Sequence, residues 1–184
     1  MSVRHGTEDT DPMTVDILCV TGPCGSGKST VGFECMEQLE RAVVSAAFVD
    51  GELAYFHPKP ATDRWGYAVA EEGLRALWGV YAAAGHTRLL LSRVVEDDEQ
   101  LAIVERAIPD ARIRLYRLVA TPATIEARLR QREIGSGLAW HMERSAEIAR
   151  STLGEPVDAE RGVVEIARDI LQRACWLPPE AASS

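Results

Sequence analysis

Short apolar runs alternate along the chain with longer segments whose apolar positions recur every three or four residues. This pattern predicts strands over Asp16 to Thr21, Ser45 to Val49, Arg88 to Val95 and Arg112 to Val119, with a short fifth at Pro156 to Asp158. Between them it predicts helices over Lys28 to Arg41, from Asp63 or Trp65 to Ala84, and from Glu96 to Ala107. A fourth helix begins after Thr121, a good N-cap with Pro122 at the first helical position, and runs to Glu133. Ile134 to Leu138 reads as a glycine-containing break, followed by helices over Trp140 to Ser151 and Gly162 to Ala174. Such β–α alternation predicts an α/β domain, a mainly parallel five-stranded sheet between helical layers. Ligands of such sheets sit beyond the carboxyl ends of the strands. Asp50, Ser92, Arg93, Thr121 and Asp158 all follow strand ends and are candidates by position.

The first strand runs into Gly22-Pro23-Cys24-Gly25-Ser26-Gly27-Lys28-Ser29, and a helix leaves it. Gly, four residues, then Gly-Lys-Ser is a phosphate-binding pattern, and its strand-to-helix context strengthens it. Backbone N–H groups of Gly22, Cys24, Gly25, Ser26, Gly27 and Thr30 are placed to cradle phosphates at a helix N-terminus. Lys28 is expected at the β- and γ-phosphates, and Ser29 at Mg²⁺. The expected cofactors are therefore ATP and Mg²⁺.

Composition limits the partners. The chain has 184 residues, 46% hydrophobic, with a formal net charge of −8. That suits one domain and argues against a nucleic-acid-wrapping surface, which needs Lys and Arg. No run approaches the ~20 apolar residues of a bilayer span. Met1 to Met13 is polar and acidic, expected as a disordered lead-in and not a signal peptide; the domain is expected over residues 14–177, with a flexible tail to Ser184. Cys19, Cys24, Cys35 and Cys175 show no metal-ligand spacing, and their usage fits a reducing cytoplasm.

Two further segments carry chemistry. Asp50, in Asp50-Gly51-Glu52 after the second strand, is placed to hold Mg²⁺ through water or to accept a proton from an attacking hydroxyl. Arg128 and Arg132 are four apart and share a helix face, while Arg130 points elsewhere. On a segment hinged by Gly135 and Gly137 they are placed to stabilise a transferring phosphoryl group. Glu52, His57, Arg64, Trp65 and Arg93 are candidates for the substrate pocket, with Tyr67 beside them. The run Glu96 to Glu99 reads as dipole complementation at a helix start, and His141 as a surface helix residue, with Arg144 a weaker candidate.

Together, Gly22 to Thr30, Phe48-Val49-Asp50-Gly51-Glu52 and the segment Ala120 to Arg132 resemble the small P-loop kinases: adenylylsulfate kinase, gluconate kinase and chloramphenicol phosphotransferase. The second half, with Gly135 and Trp140 after an Arg-rich helix, is similar in layout to the tunicamycin-resistance ATP-binding protein. The resemblance implies a three-layer P-loop fold with a helical lid, Arg128 and Arg132 as lid arginines, Asp50 as base or substrate contact, and Asp158 to Gly162 near the adenine. Glu52 stands where the first two families carry a second aspartate, and the third strand ends Leu91-Ser92-Arg93 with no acid. The expected activity is ATP-dependent phosphoryl transfer to a hydroxyl of a small molecule, a metabolite or an antibiotic. The alternative is a nucleotide-binding module that sequesters a ligand or switches with a partner.

Overall fold

The computed structural model describes residues 14–51, 61–63, 65–132 and 137–178. The expected lead-in and most of the expected tail lie outside these, as do Glu52, His57, Arg64, the hinge glycine Gly135 and the side chain of Arg132. The described residues form β1 (Asp16–Thr21), α1 (Lys28–Arg41), β2 (Ala47–Asp50), α2 (Tyr67–Ala83), β3 (Arg88–Ser92), α3 (Asp98–Ala107), β4 (Arg112–Val119), α4 (Pro122–Arg132), α5 (Gly137–Ile148), β5 (Glu155–Asp158) and α6 (Val163–Arg173). The strands make one parallel sheet in the order β2-β3-β1-β4-β5.

The period of two along each strand builds the layers. Leu18, Val20, Leu90, Leu118 and Val157 face α1 and α6, meeting Val31, Cys35, Leu39, Ile166 and Ile170. Their neighbours Ile17, Cys19, Leu89 and Leu91 face the other way, onto Leu74 and Trp78 of α2 and Val104 and Ala107 of α3. Because both faces are covered, the strands read as continuous apolar runs rather than alternating ones. The chain places β2 and β3 on one side of β1 and then crosses to β4 and β5 on the other, which opens a crevice beyond the carboxyl end of β1.

Several boundaries differ from the pattern. β2 begins two residues later than expected and includes Asp50, which pairs in register with Ser92. β3 stops at Ser92: Val95 leaves the sheet and its backbone N–H and C=O both bond the Thr21 hydroxyl, at 2.8 and 3.1 Å. α2 starts at Tyr67 because the Asp63 carboxylate accepts from the N–H groups of Tyr67 and Ala68, at 2.7 and 3.0 Å. α3 starts at Asp98, with Asp97 as its N-cap accepting from Gln100 N at 2.9 Å. Asp98 and Glu99 complement the helix dipole as expected, but Glu96 lies outside the helix. α5 starts earlier than expected, so Gly137 and Leu138 are helical and not part of a break.

Candidate active site

The phosphate-loop candidates sit between the end of β1 and the start of α1. Gly22 has φ 136°, and a Cβ there would lie 2.8 Å from the Leu118 carbonyl of β4. Close strand approach thus requires this glycine, and Gly22 turns the chain beneath the cavity instead of lining it. Gly27 is the N-cap of α1 in the left-handed region, φ 100°. A Cβ there would meet only Arg128 Nη1, at 3.9 Å, so backbone is open to a ligand. α1 has no acidic residue in its first turn, which keeps its positive end uncompensated from within. Lys28 Nζ arches over the loop and donates to the carbonyls of Gly22 and Pro23, both at 3.0 Å. Ser26 Oγ is buried and without a hydrogen-bond partner.

These residues open onto a cavity of about 930 Å³, lined by Cys24 to Val31 and reached from both edges of the sheet. Toward the β2 edge stand Asp50 and Gly51, with Ser92 and Arg93 beside them. Gly51 N donates to Ser92 O at 2.9 Å, tying the two strand ends together. Asp50 is exposed to the cavity, whereas Ser92 is 1% exposed and its Oγ has no partner. Strand parity turns Asp50 and Ser92 to the α1 side: a Cβ at Gly32, three residues past Ser29, would lie 3.6 Å from Ser92 Cβ. Ser92, named in the sequence by position alone, is thus a polar group set under the first turn of α1.

Toward the β5 edge the cavity is walled by Ala159, Arg161, Val163 and Ile166. The expected placement of residues 158–162 at the nucleotide's base therefore falls on a cavity wall. Arg128 joins this wall to the phosphate loop: Nη1 donates to Ser26 O at 3.1 Å and Nη2 to Ala159 O at 2.9 Å. Glu160 ties the same loop to the start of α4, accepting from Thr121 N at 2.7 Å and the Thr124 hydroxyl at 2.8 Å. These bonds, the Thr121 N–H first, hold the Glu160 carboxyl below its ordinary range. α5 is fastened likewise, with Ser145 Oγ donating to Cys24 O at 2.9 Å. Arg130 projects away, paired with Glu126 on the surface. The backbone of Arg132 continues α4 on the same side as Arg128, but its side chain lies outside the described residues.

The remaining wall corrects the sequence reading. Glu96 does not serve the α3 dipole; its carboxylate pairs with Arg144 of α5 and accepts from Gln100 Nε2 at 2.8 Å. Gln100 also donates to Tyr67 Oη at 3.0 Å, and burial pushes the Tyr67 phenol up. The Arg144 guanidinium stands over the Trp65 ring, 5.2 Å from its centroid. His141 is not a plain surface residue: it lines the cavity with Trp140, the two rings edge to face at 4.9 Å. No local pattern shows this wall, since Glu96 and Arg144 meet across 48 residues. Of the cysteines, Cys24 lines the cavity, while burial pushes the Cys19 and Cys35 thiols up to about 12.

No protein-family model matches the sequence, and no curated protein matches it. Solved structures do match in shape. A gluconokinase from Sinorhizobium meliloti 1021 superposes with a TM-score of 0.61 at 19% identity, over 89% of this chain and 93% of that one. The fold is that of the small P-loop kinases. A sugar kinase from Janibacter sp. HTCC2649 gives 0.60 at 16% identity, over 93% of this chain and 99% of its own. The Mycobacterium tuberculosis APS kinase gives 0.58 at 18% identity, over 90% and 100%. The fold expected from the motifs is therefore present, as a five-stranded parallel sheet between helical layers.

Proposed function

We propose that this protein transfers the terminal phosphoryl group of ATP to a hydroxyl of a small molecule, a metabolite or an antibiotic. The observation that carries this reading is the opening of Asp50 into the same cavity as the phosphate loop, beside Lys28 and Ser29. The groups around the loop suit a nucleotide: the backbone at Gly27 is open to a phosphate, and Lys28 and Ser29 line the same cavity. Among the described residues no group of three His, Cys, Asp or Glu side chains could hold a metal alone. Mg²⁺ carried on the nucleotide would be held by Ser29, with Asp50 reaching it through water and Ser92 on the same side of the cavity. When bound, the ion neutralises phosphate charge.

In this reading Lys28 exchanges its loop carbonyls for phosphate oxygens. The α1 N-terminus binds the same charge through its backbone N–H groups. Asp50 orients the acceptor hydroxyl and takes its proton. Arg128 fixes the phosphate loop against the base-side wall, and Arg132 is the remaining cation of that helix face. No helix of the described residues is long and apolar enough to cross a membrane. The net charge of −8 supports a small-molecule acceptor over nucleic acid, and the four free thiols support a cytoplasmic setting.

The test is ADP release from Mg·ATP with and without hydroxylated metabolites and antibiotics. Acceptor-dependent ADP release that Lys28→Ala abolishes supports transfer. Tight ATP binding with no acceptor-dependent release across such a panel refutes the enzyme and leaves a nucleotide-binding module.

A further inference from the structure

The sheet order divides the cavity. The loop after β5 holds one end, the phosphate loop after β1 the middle, and the β2 edge the other end. With the nucleotide base at the β5 end, the acceptor falls to the β2 end, where Asp50 is. This placement rests on the phosphotransferase reading.

Among the described residues, the polar side chains that frame Trp65 are bonded to one another. Tyr67 Oη is held by Gln100, Gln100 by Glu96, and Glu96 by Arg144, which also donates to Glu147 at 3.1 Å. The Arg144 charge is thereby offset by two carboxylates. Apolar surface remains: Trp65 and Trp140 line the cavity while 37% and 48% exposed, with Ala70, Val94 and Ile148 among the lining. Exposed tryptophans in a concavity are large, rigid, flat contact surfaces. A polyhydroxylated acceptor seated here would find those polar partners already engaged. Each of its hydroxyls buried without a partner lowers affinity by roughly tenfold. A flat ring would instead cover the exposed faces of Trp65 and Trp140.

We infer that the acceptor is an alcohol bearing a planar aromatic ring, seated against Trp65 and Trp140 with its hydroxyl toward Asp50. The Tyr67–Gln100–Glu96–Arg144 chain is the frame that holds the Trp65 ring in place. Trp65 and Arg144 are therefore specificity residues.

The experiment uses the full chain with saturating Mg·ATP and three probes: 2-phenylethanol, 1-phenyl-1,2-ethanediol and gluconate. Acceptor-dependent ADP release and the shift of tryptophan emission are both recorded. The phenyl alcohols should give at least tenfold higher kcat/KM than gluconate. Trp65→Ala should raise their KM roughly fivefold to tenfold, and Trp65→Phe, which keeps a flat ring, should restore most of it. Gluconate equal to or better than the phenyl alcohols overturns the inference. So does a phenyl-alcohol KM unmoved by Trp65→Ala and by Trp140→Ala, or an absence of any emission shift with the phenyl alcohols. ADP release across the wider panel of hydroxylated metabolites and antibiotics separates the two levels. If no compound of that panel gives acceptor-dependent release, the phosphotransferase reading itself falls; if others do and the phenyl alcohols fail, only the acceptor class does.

Discussion

Replacing Arg128 separates two roles that its position allows. As a lid cation it would act on phosphate charge alone. The structure gives it a second task, because its two terminal nitrogens bridge Ser26 O of the phosphate loop and Ala159 O of the β5 loop. Hydrogen bonds from a charged donor contribute about 1.5–3 kcal/mol each, and partial exposure brings the pair to about 2–3 kcal/mol together. At roughly 2–4 °C per kcal/mol for a domain of this size, Arg128→Ala should lower Tm by about 5–10 °C without any ligand. Arg128→Lys keeps the charge but has no fork to span two carbonyls. It should therefore be nearly as destabilised as the alanine variant. Calorimetric melting of the parent and both variants, with and without ATP, reads this directly. An unchanged Tm in Arg128→Ala, or full recovery in Arg128→Lys, refutes the bridge and leaves a role in charge alone. Arg130→Ala is the control: its side chain pairs only with Glu126 on the surface, and such pairs contribute about 0.3–0.5 kcal/mol.

Asp50→Asn should lower kcat by roughly 10²–10⁴-fold with ATP affinity little changed, and turnover within a few-fold of the parent removes Asp50 as the base. Ser92→Ala should weaken Mn²⁺·ATP binding, followed by electron paramagnetic resonance, by about twofold to tenfold while leaving metal-free ATP affinity as it was; equal loss in both would make Ser92 a packing residue. Glu160 has a lowered folded pKa, so its stabilisation is complete above the ordinary Glu value of about 4.3 and is lost as pH falls through the folded value. Glu160→Gln should then flatten the fall of Tm below about pH 4, and an identical slope in parent and variant excludes the cap.

The layers of the fold were legible because they follow from local rules. The apolar runs of β1, β3 and β4 and the helical spacing between them place the elements to within a few residues. The phosphate loop was legible as well, since its glycines, lysine and serine are contiguous. What the pattern missed depends on distance in sequence. Glu96 reads as a helix-start acid because Asp98 and Glu99 beside it are such acids. Only the approach of α5 to the segment after β3 turns its carboxylate to Arg144. His141 reads as a surface residue because its neighbours on α5 are mixed, and only the cavity beneath that helix gives it a role. Gly22 was legible for the wrong reason. It belongs to the motif, yet the structure demands it for contact with Leu118 of β4.

The bonds around α4 and α5 tie both helices to the loops that line the cavity. Arg128 joins α4 to the phosphate loop and the β5 loop, Glu160 caps its start, Ser145 joins α5 to Cys24 O, and Arg144 joins α5 to Glu96 beyond β3. The helical pair is thus fastened to the loop after β1, the loop after β5 and the segment after β3 around one cavity. A rigid shift of either helix breaks bonds in at least one of these places. Under the proposed phosphoryl transfer, any closure over substrates has to keep the α4 start and the body of α5 in place or break these bonds.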